Sequence, residues 1–275
     1  MIKTTPFPTT FIQDFPGLWG PRILHVASQP FDVYELQKRI LQKTKDGKKA
    51  KPAFYIDART LDHRLNLMFG GAWSLGFNID EGEKFILARA TLNINGVVRE
   101  DISSEPVMVE RAEYKDNKFV GKIMVPNDLG ATSAQASAYK RAAVKFGIAA
   151  YLYDFKDEVI WDDIDPKWKN QFKDPTIKLA SLPNFARPLP GAQIIMDELI
   201  YLCNSEDPKV LKTCLKTYWG IETLKNLNRD ESFMLGACIA RVSDLLSFTG
   251  KSIDQICEER LDGAKKSPSL GFNRE

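Results

Sequence analysis

Behind an Asp32–Glu35 pair that can cap a first helical turn, the apolar positions Leu36, Ile40 and Leu41 recur at helical spacing, which predicts a helix from 32 to about Lys43. Gly47 breaks it, and AFYID after Pro52 reads as a short strand. In RTLDHRLNLMF, Leu61, Leu65, Leu67 and Met68 predict an amphipathic helix that Gly70-Gly71 terminates. Three strand-like segments follow: WSLGFNI, FILARATLNI and VVREDISSEPVMVERAEY. NING at 93–96 is the hairpin turn between the last two. KDNKFVGKIMVPNDLG reads as a loop or short ribbon, and SAQASAYKRAAVKFGIAAYLYDF, 133–155, as a helix.

Residues 1–30 look irregular. Residues 156–192 hold five prolines and little periodicity, the pattern of a linker or an arm packed on a neighbour. Helical spacing returns over 193–203, 208–218, 231–247 and near 252–262. Strands and helices are therefore segregated rather than alternating, which predicts an α+β fold. The expected organisation is a domain over 1–160, a proline-rich linker or arm over 161–191, and a small helical domain over 192–275 with a loose tail.

The helix around residue 141 has two unlike faces. Ser137, Arg141, Lys145 and Ile148 point one way; Tyr139, Ala142, Ala143, Phe146 and Ala150 point the other, with Lys140 on the flank. The alanines permit close approach of a sheet or helix. No acid lies between Asp128 and Asp154, so no i,i+4 partner on this helix neutralises the three cations. Unpaired cations in a row suit phosphates, whose binding releases counterions. A second basic run carries Lys38, Arg39, Lys43, Lys45, Lys48, Lys49 and Lys51 against the single acid Asp46, and leads into Phe54 and Tyr55. Cations beside aromatics suit single strands, whose bases stack while their phosphates follow a positive groove.

Overall composition adds only bounds. The net charge of the 275-residue chain is +2, so the distribution of charge matters more than its sum. The sequence shows no apolar run near the ~20 residues of a membrane span and no signal-peptide core at MIKTTPFPTTFIQDFPG, so a cytoplasmic, nucleoid-associated protein is expected. Cys203, Cys214, Cys238 and Cys257 form no C-x-x-C pair; reduced thiols are expected, without zinc or a disulfide framework.

Taken together, LQKRI, YIDARTLDHRLNLMFGGAWSLGF and, about 60 residues on, SAQASAYKRAAVKFGIAAYLYD resemble the Rad-fifty-two-type superfamily of single-strand annealing proteins, and most nearly its bacterial and phage DdrA-like members. Tyr55, Ile56, Asp57, Arg64, Leu65, Asn66, Phe69, Gly70 and Trp73 match the "YI(D/E)…RLN…FG…W" part. Ala138, Lys140, Arg141, Ala142, Phe146 and Gly147 match the "A…KRA…KFG" helix. The resemblance covers roughly 32–156. It implies a β-β-β-α core that assembles into a ring or filament, with single-stranded DNA in an outer basic groove and Lys140 and Arg141 on the phosphates. Two positions depart from the pattern: the arginine often found three residues after KR is Val144, followed by Lys145, and the basic residue after YIDA is Arg59 rather than position 60, which is Thr60. The DNA-binding set expected is Lys140, Arg141, Lys145, Arg59, Lys48, Lys49, Lys51 and Tyr55.

Annealing is downhill once complementary strands meet, so a protein need only neutralise repulsion and hold bases exposed; phosphate contacts suffice. Neither His25 nor His63 has a motif partner, and no phosphate loop for ATP exists. No cofactor, metal or catalytic residue is expected. One enzymatic alternative is a magnesium-dependent nuclease built on Asp101, Glu113 and Lys115. Another reading is a protein that shields single-stranded ends or loads a recombinase without annealing. In the C-terminal module, Trp219 and Phe233 are expected in the core, and a recombinase or single-strand-binding protein is a candidate partner.

Overall fold

The computed structural model describes residues 20–115, 118–156, 161–174, 176–256 and 258. The chain divides into two compact units. One comprises Ala27–Asn66 and Gly71–Pro188; the other holds the described residues up to Val26, Leu67–Gly70, and those from Leu189 onward. The fold is α+β, with antiparallel sheets and helices.

In the first unit, β1 (Gln37–Lys43) and β2 (Lys49–Tyr55) form an antiparallel hairpin. The helix expected over 32–43 is not there. Asp32 and Glu35 do make a capping-type turn, with Asp32 N donating to Glu35 Oε2 at 2.7 Å, but the chain then extends. The ladder to β2 supplies backbone partners and buries Ala50, Pro52 and Phe54, gains that a short basic helix with three apolar residues lacks. Thr44, Asp46 and Gly47 close the hairpin. Gly47 takes φ +68° and its N–H donates to Thr44 O at 2.9 Å.

β3 (Trp73–Glu81), β4 (Phe85–Ile94) and β5 (Val97–Pro106) form the main sheet in the order β3-β4-β5. The turn at NING is present as expected: Asn95 and Gly96 both take positive φ, 53° and 85°, the primed geometry that matches strand twist. The strand expected over 97–114 breaks at Val107 into β5 and β6 (Met108–Lys115). β6 pairs with β7 (Lys118–Pro126), so KDNKFVGKIMVP is a ribbon.

α3 (Gly130–Val144) packs on β4 and β5. Along β4, Ile86, Ala88, Ala90, Leu92 and Ile94 alternate into the core, and Ala134, Ala138, Tyr139, Ala142 and Ala143 of α3 cover them. A Cβ on Gly130 would come within 2.7 Å of Ile86 Cδ1, so the start of α3 lies directly on the strand. The helix stops at Val144, short of the residue-155 end expected. Gly147 at φ +81° redirects the chain, which buries Ile148 instead of displaying it beside the cations, and a 3₁₀ helix (Ala150–Lys156) follows.

α2 (Ala58–Phe69) contributes to this unit through Asn66. Asp62 Oδ1 accepts from the Tyr139 hydroxyl at 2.7 Å. Arg64 lies with its guanidinium 3.3 Å from the Phe31 ring centroid and donates to the Gln29 carbonyl. Asn66 Oδ1 accepts from Trp73 Nε1 at 2.9 Å. The RLN…W residues thus fasten the scaffold to itself. Part of the segment expected as a linker or arm over 161–191 packs on the hairpin of its own chain. β8 (Asp162–Asp163) extends the hairpin sheet beside Lys49 and Ala50, and Ile164 and Phe172 cluster on Ala50.

The second unit is helical: α1 (Pro21–Ala27, where an irregular segment was expected, through Val26), α4 (Gly191–Cys203), α5 (Pro208–Trp219) and α6 (Arg229–Thr249). Asp207 caps α5 ahead of Pro208, and an Asn228–Glu231 capping box starts α6. Ile195, Leu199, Leu215, Trp219, Ile239 and Val242 form its core. α6 is long and apolar enough to cross a membrane, contrary to the sequence reading, yet most of it is buried as the central helix of this unit. Of the helix expected over 252–262, residues 253–256 and 258 are helical; Cys257 lies outside the described residues.

Candidate nucleic-acid interface

Strand alternation sorts the second basic run onto two faces. On β2 the even positions Ala50, Pro52 and Phe54 are buried, while Lys49, Lys51, Ala53 and Tyr55 point the other way. Register pairs Arg39 with Ala53, which brings Arg39 onto the Lys51–Tyr55 face. Lys38, one position earlier, points to the opposite face. There its ammonium is 2.8 Å from Asp162 Oδ2 and lies over the Phe172 ring, so it serves the fold.

Facing Tyr55 is α3. The Arg39 guanidinium and the Lys140 ammonium lie 5.9 and 5.6 Å from the Tyr55 ring centroid, within cation–π reach. Around them opens a cleft of about 420 Å³, lined further by Lys51, Arg141, Val144, Tyr153 and Phe155. Arg39, Lys51, Lys140 and Arg141 supply four cations, and no carboxylate among the described residues lines it. The Lys140 pKa is held below that of an ordinary lysine by burial and then by Arg39, with Asp57 opposing. An anion entering the cleft relieves that repulsion between cations.

Arg141 and Lys145 are not the unpaired cations that the helix alone suggests. The counter-ion comes from β5: Asp101 Oδ1 is 3.2 Å from Arg141 Nε, and Oδ2 is 3.1 Å from Lys145 Nζ. Lys145 also donates to the Glu100 carbonyl at 2.5 Å. Burial pushes the Asp101 carboxyl up, but the Lys145 hydrogen bond, the Ile102 N–H and the Arg141 charge together hold it below the usual carboxylate range. Asp101 is only 14% exposed, but both cations are about half exposed and screened by solvent, so each pair is worth about 1 kcal/mol. A phosphate can therefore exchange with Asp101 at little cost.

The other expected residues lie elsewhere. Lys48 and Lys49 are exposed at the tip of the hairpin, Arg59 is exposed in the first turn of α2, and Lys145 stands beside the cleft rather than in its wall. Val144 does line it, at the position where the resemblance leads one to expect arginine. Arg39 is the functional candidate that the helical reading of 32–43 hid. The KDG turn, followed by the alternating polar and apolar positions of KAKPAFY, was the signal for a hairpin. Asp101 was invisible as a counter-ion because it is 40 residues from Arg141 in sequence.

The proposed nuclease set is dispersed. Asp101 is in the three-stranded sheet and bound to two cations, whereas Glu113 and Lys115 belong to the exposed β6–β7 ribbon, opposite Gly121 and Lys118. Among the described residues, no group of three or more His, Cys, Asp or Glu side chains could hold a metal ion.

The sequence is 33% identical over 176 residues to the single-stranded DNA-binding protein DdrA of Deinococcus deserti, a match covering 62% of this chain and 77% of that protein. It is 32% identical over 135 residues to the single-stranded DNA-binding protein DdrA of Deinococcus radiodurans, covering 49% of this chain and about half, 52%, of that relative. No family model matches the chain. No solved structure matches it either.

Proposed function

This chain belongs to the DdrA family, and on that premise we propose that it binds single-stranded DNA in the cleft between the β1–β2 hairpin and α3, as part of DNA repair. The observation that carries this reading is the cleft itself: four cations and exposed aromatic edges, with no lining carboxylate among the described residues. Arg39, Lys51, Lys140 and Arg141 take phosphates, while the Tyr55 ring offers a stacking surface to a base. Such contacts track the backbone and leave base edges free, so binding is insensitive to sequence and strongly sensitive to salt.

Bases left exposed on a neutralised backbone can pair with a second strand, and we extend the proposal to annealing without ATP. The order of the YID, RLN…FG…W and KRA…KFG motifs supports kinship with the Rad-fifty-two-type annealing superfamily. Self-association into a ring or filament draws support from the main sheet. Phe77 and Ile79 share the helix-facing side of β3 with buried Ala88 and Ala90 of β4, yet both are exposed on an edge strand that pairs only with β4 among the described residues. A second copy of the chain covers them in this reading. The protein acts by binding, not by catalysis.

The test combines anisotropy with labelled single strands and a strand-mixing assay. Tight, salt-sensitive binding that is lost in an Arg39→Glu/Lys140→Glu variant is expected, with faster duplex formation from complementary strands. Binding without acceleration replaces annealing by end protection. Binding that survives the double reversal removes DNA from this cleft.

A further inference from the structure

Within the helical unit, α4, α5 and α6 leave a groove of about 610 Å³, walled by Val210, Thr213, Tyr218 and Leu246. Two thiols open into it: Cys203, the last residue of α4, and Cys214 in the middle of α5. Cys203 packs against the apolar cluster that contains Cys214, so the two thiols share one wall of the groove. Cys203 is half-exposed, and Cys214 is buried at the edge of the core. We propose that Cys203 and Cys214 are a redox-active dithiol that a peroxide converts into a reversible disulfide, a modification independent of DNA binding.

The chemistry runs in one order. Cys203 is the accessible sulfur, so its thiolate attacks the peroxide; the O–O bond breaks, and a sulfenic acid forms as the departing hydroxide takes a proton to become water. Cys214 then attacks the Cys203 sulfur, an S–S bond forms, and the expelled hydroxide takes the Cys214 proton. Two thiols and one hydrogen peroxide give one disulfide and two waters; the sulfurs lose two electrons. Burial, followed by the Cys203 hydrogen bond, pushes the Cys214 thiol up to about 12, which suits the second role rather than the first. Cys238 does not compete: its sulfur is fully buried and accepts from Trp219 Nε1 at 3.4 Å. The bond ties the end of α4 to α5 across the groove, a reversible cross-link of the kind that accessible thiol pairs form.

The full-length protein is treated with hydrogen peroxide, blocked with an alkylating agent and digested with trypsin. The expected product links the peptide ending at Lys209, which carries Cys203, to the peptide 213–216, which carries Cys214; dithiothreitol separates them. A Cys214→Ser variant, checked for its fold by circular dichroism, should accumulate a dimedone adduct at Cys203 several-fold above wild type. Equal dimedone labelling in the two proteins, direct passage of Cys203 to sulfinic acid in wild type, or a link from Cys203 to another cysteine each overturns the proposal.

Discussion

Asp101 Oδ1 lies 3.2 Å from Nε of Arg141, across the contact between β5 and α3. A carboxylate on the sheet thus neutralises the face of the helix that, taken alone, displays only cations. Removing that charge while keeping its shape tests whether it competes with phosphate. Asp101→Asn should raise affinity for single-stranded DNA about two- to fivefold at low salt, the equivalent of a half-exposed ion pair. An Arg141→Glu/Lys145→Glu protein should move the other way. Weakened binding by the Asn variant would mean that Asp101 positions the cations instead of competing for them.

Tyr55 reports on stacking separately from charge. Tyr55→Ala should cost about 1–3 kcal/mol of binding, while Tyr55→Phe should bind nearly as the wild type does. Equal losses in both would assign the effect to the hydroxyl and not to the ring. Equilibrium titrations at fixed salt measure the difference.

Lys140 gives the cleft a pH signature. In the proposed function its cationic form takes a phosphate, and its pKa is held below that of an ordinary lysine by burial and by Arg39. Binding should therefore weaken on the alkaline side sooner than an ordinary lysine would allow. Lys140→Arg, which stays charged, should flatten that limb. Lys140→Ala should also reduce the slope of log K against log salt by about 0.7, one phosphate's share. An identical alkaline limb in wild type and the Arg variant would remove Lys140 as its origin.

In the helical unit, Glu198 sets a second pH dependence. Its carboxylate takes a paired contact from Arg22, 2.9 and 2.8 Å from Nε and Nη2, and is fully buried. Burial raises its pKa to about 7, against the Arg22 contact that lowers it. Its folded value lies above the ordinary one near 4.5, so the folded protein holds the proton more tightly. The stabilisation is complete below pH 4.5 and fades as pH rises through 7. It amounts to about 3 kcal/mol at most. Asp244, also raised by burial, acts in the same direction. His25, lowered by burial and by Arg22, acts in the opposite one. Urea unfolding should show greater stability at pH 5 than at pH 8, and Glu198→Gln should remove most of the difference. A difference unchanged in the Gln variant would assign it to Asp244.

Local pattern determined a good part of this protein. The α2 helix, the NING hairpin, and the helices after residue 190 follow from periodicity, caps and turn residues that act within a few positions. So does the packing face of α3, because small residues at helical spacing can only be buried together: Ala138, Ala142 and Phe146 are all covered. The cationic face was legible only by half. Lys140 and Arg141 were on the expected side of their helix, yet which cations meet in one cleft depends on strand register and on sheet-to-helix contact. Register pairs Arg39 with Ala53 and so sends Arg39 to the cleft and Lys38 to Asp162, a choice that one residue of slip would reverse. Asp101 reaches Arg141 because β5 lies under α3, and no spacing along the chain encodes that distance. Helical period fixed what each element buries; tertiary contact decided which charges face one another, because an electrostatic partner is chosen by proximity in space and not by order in the chain.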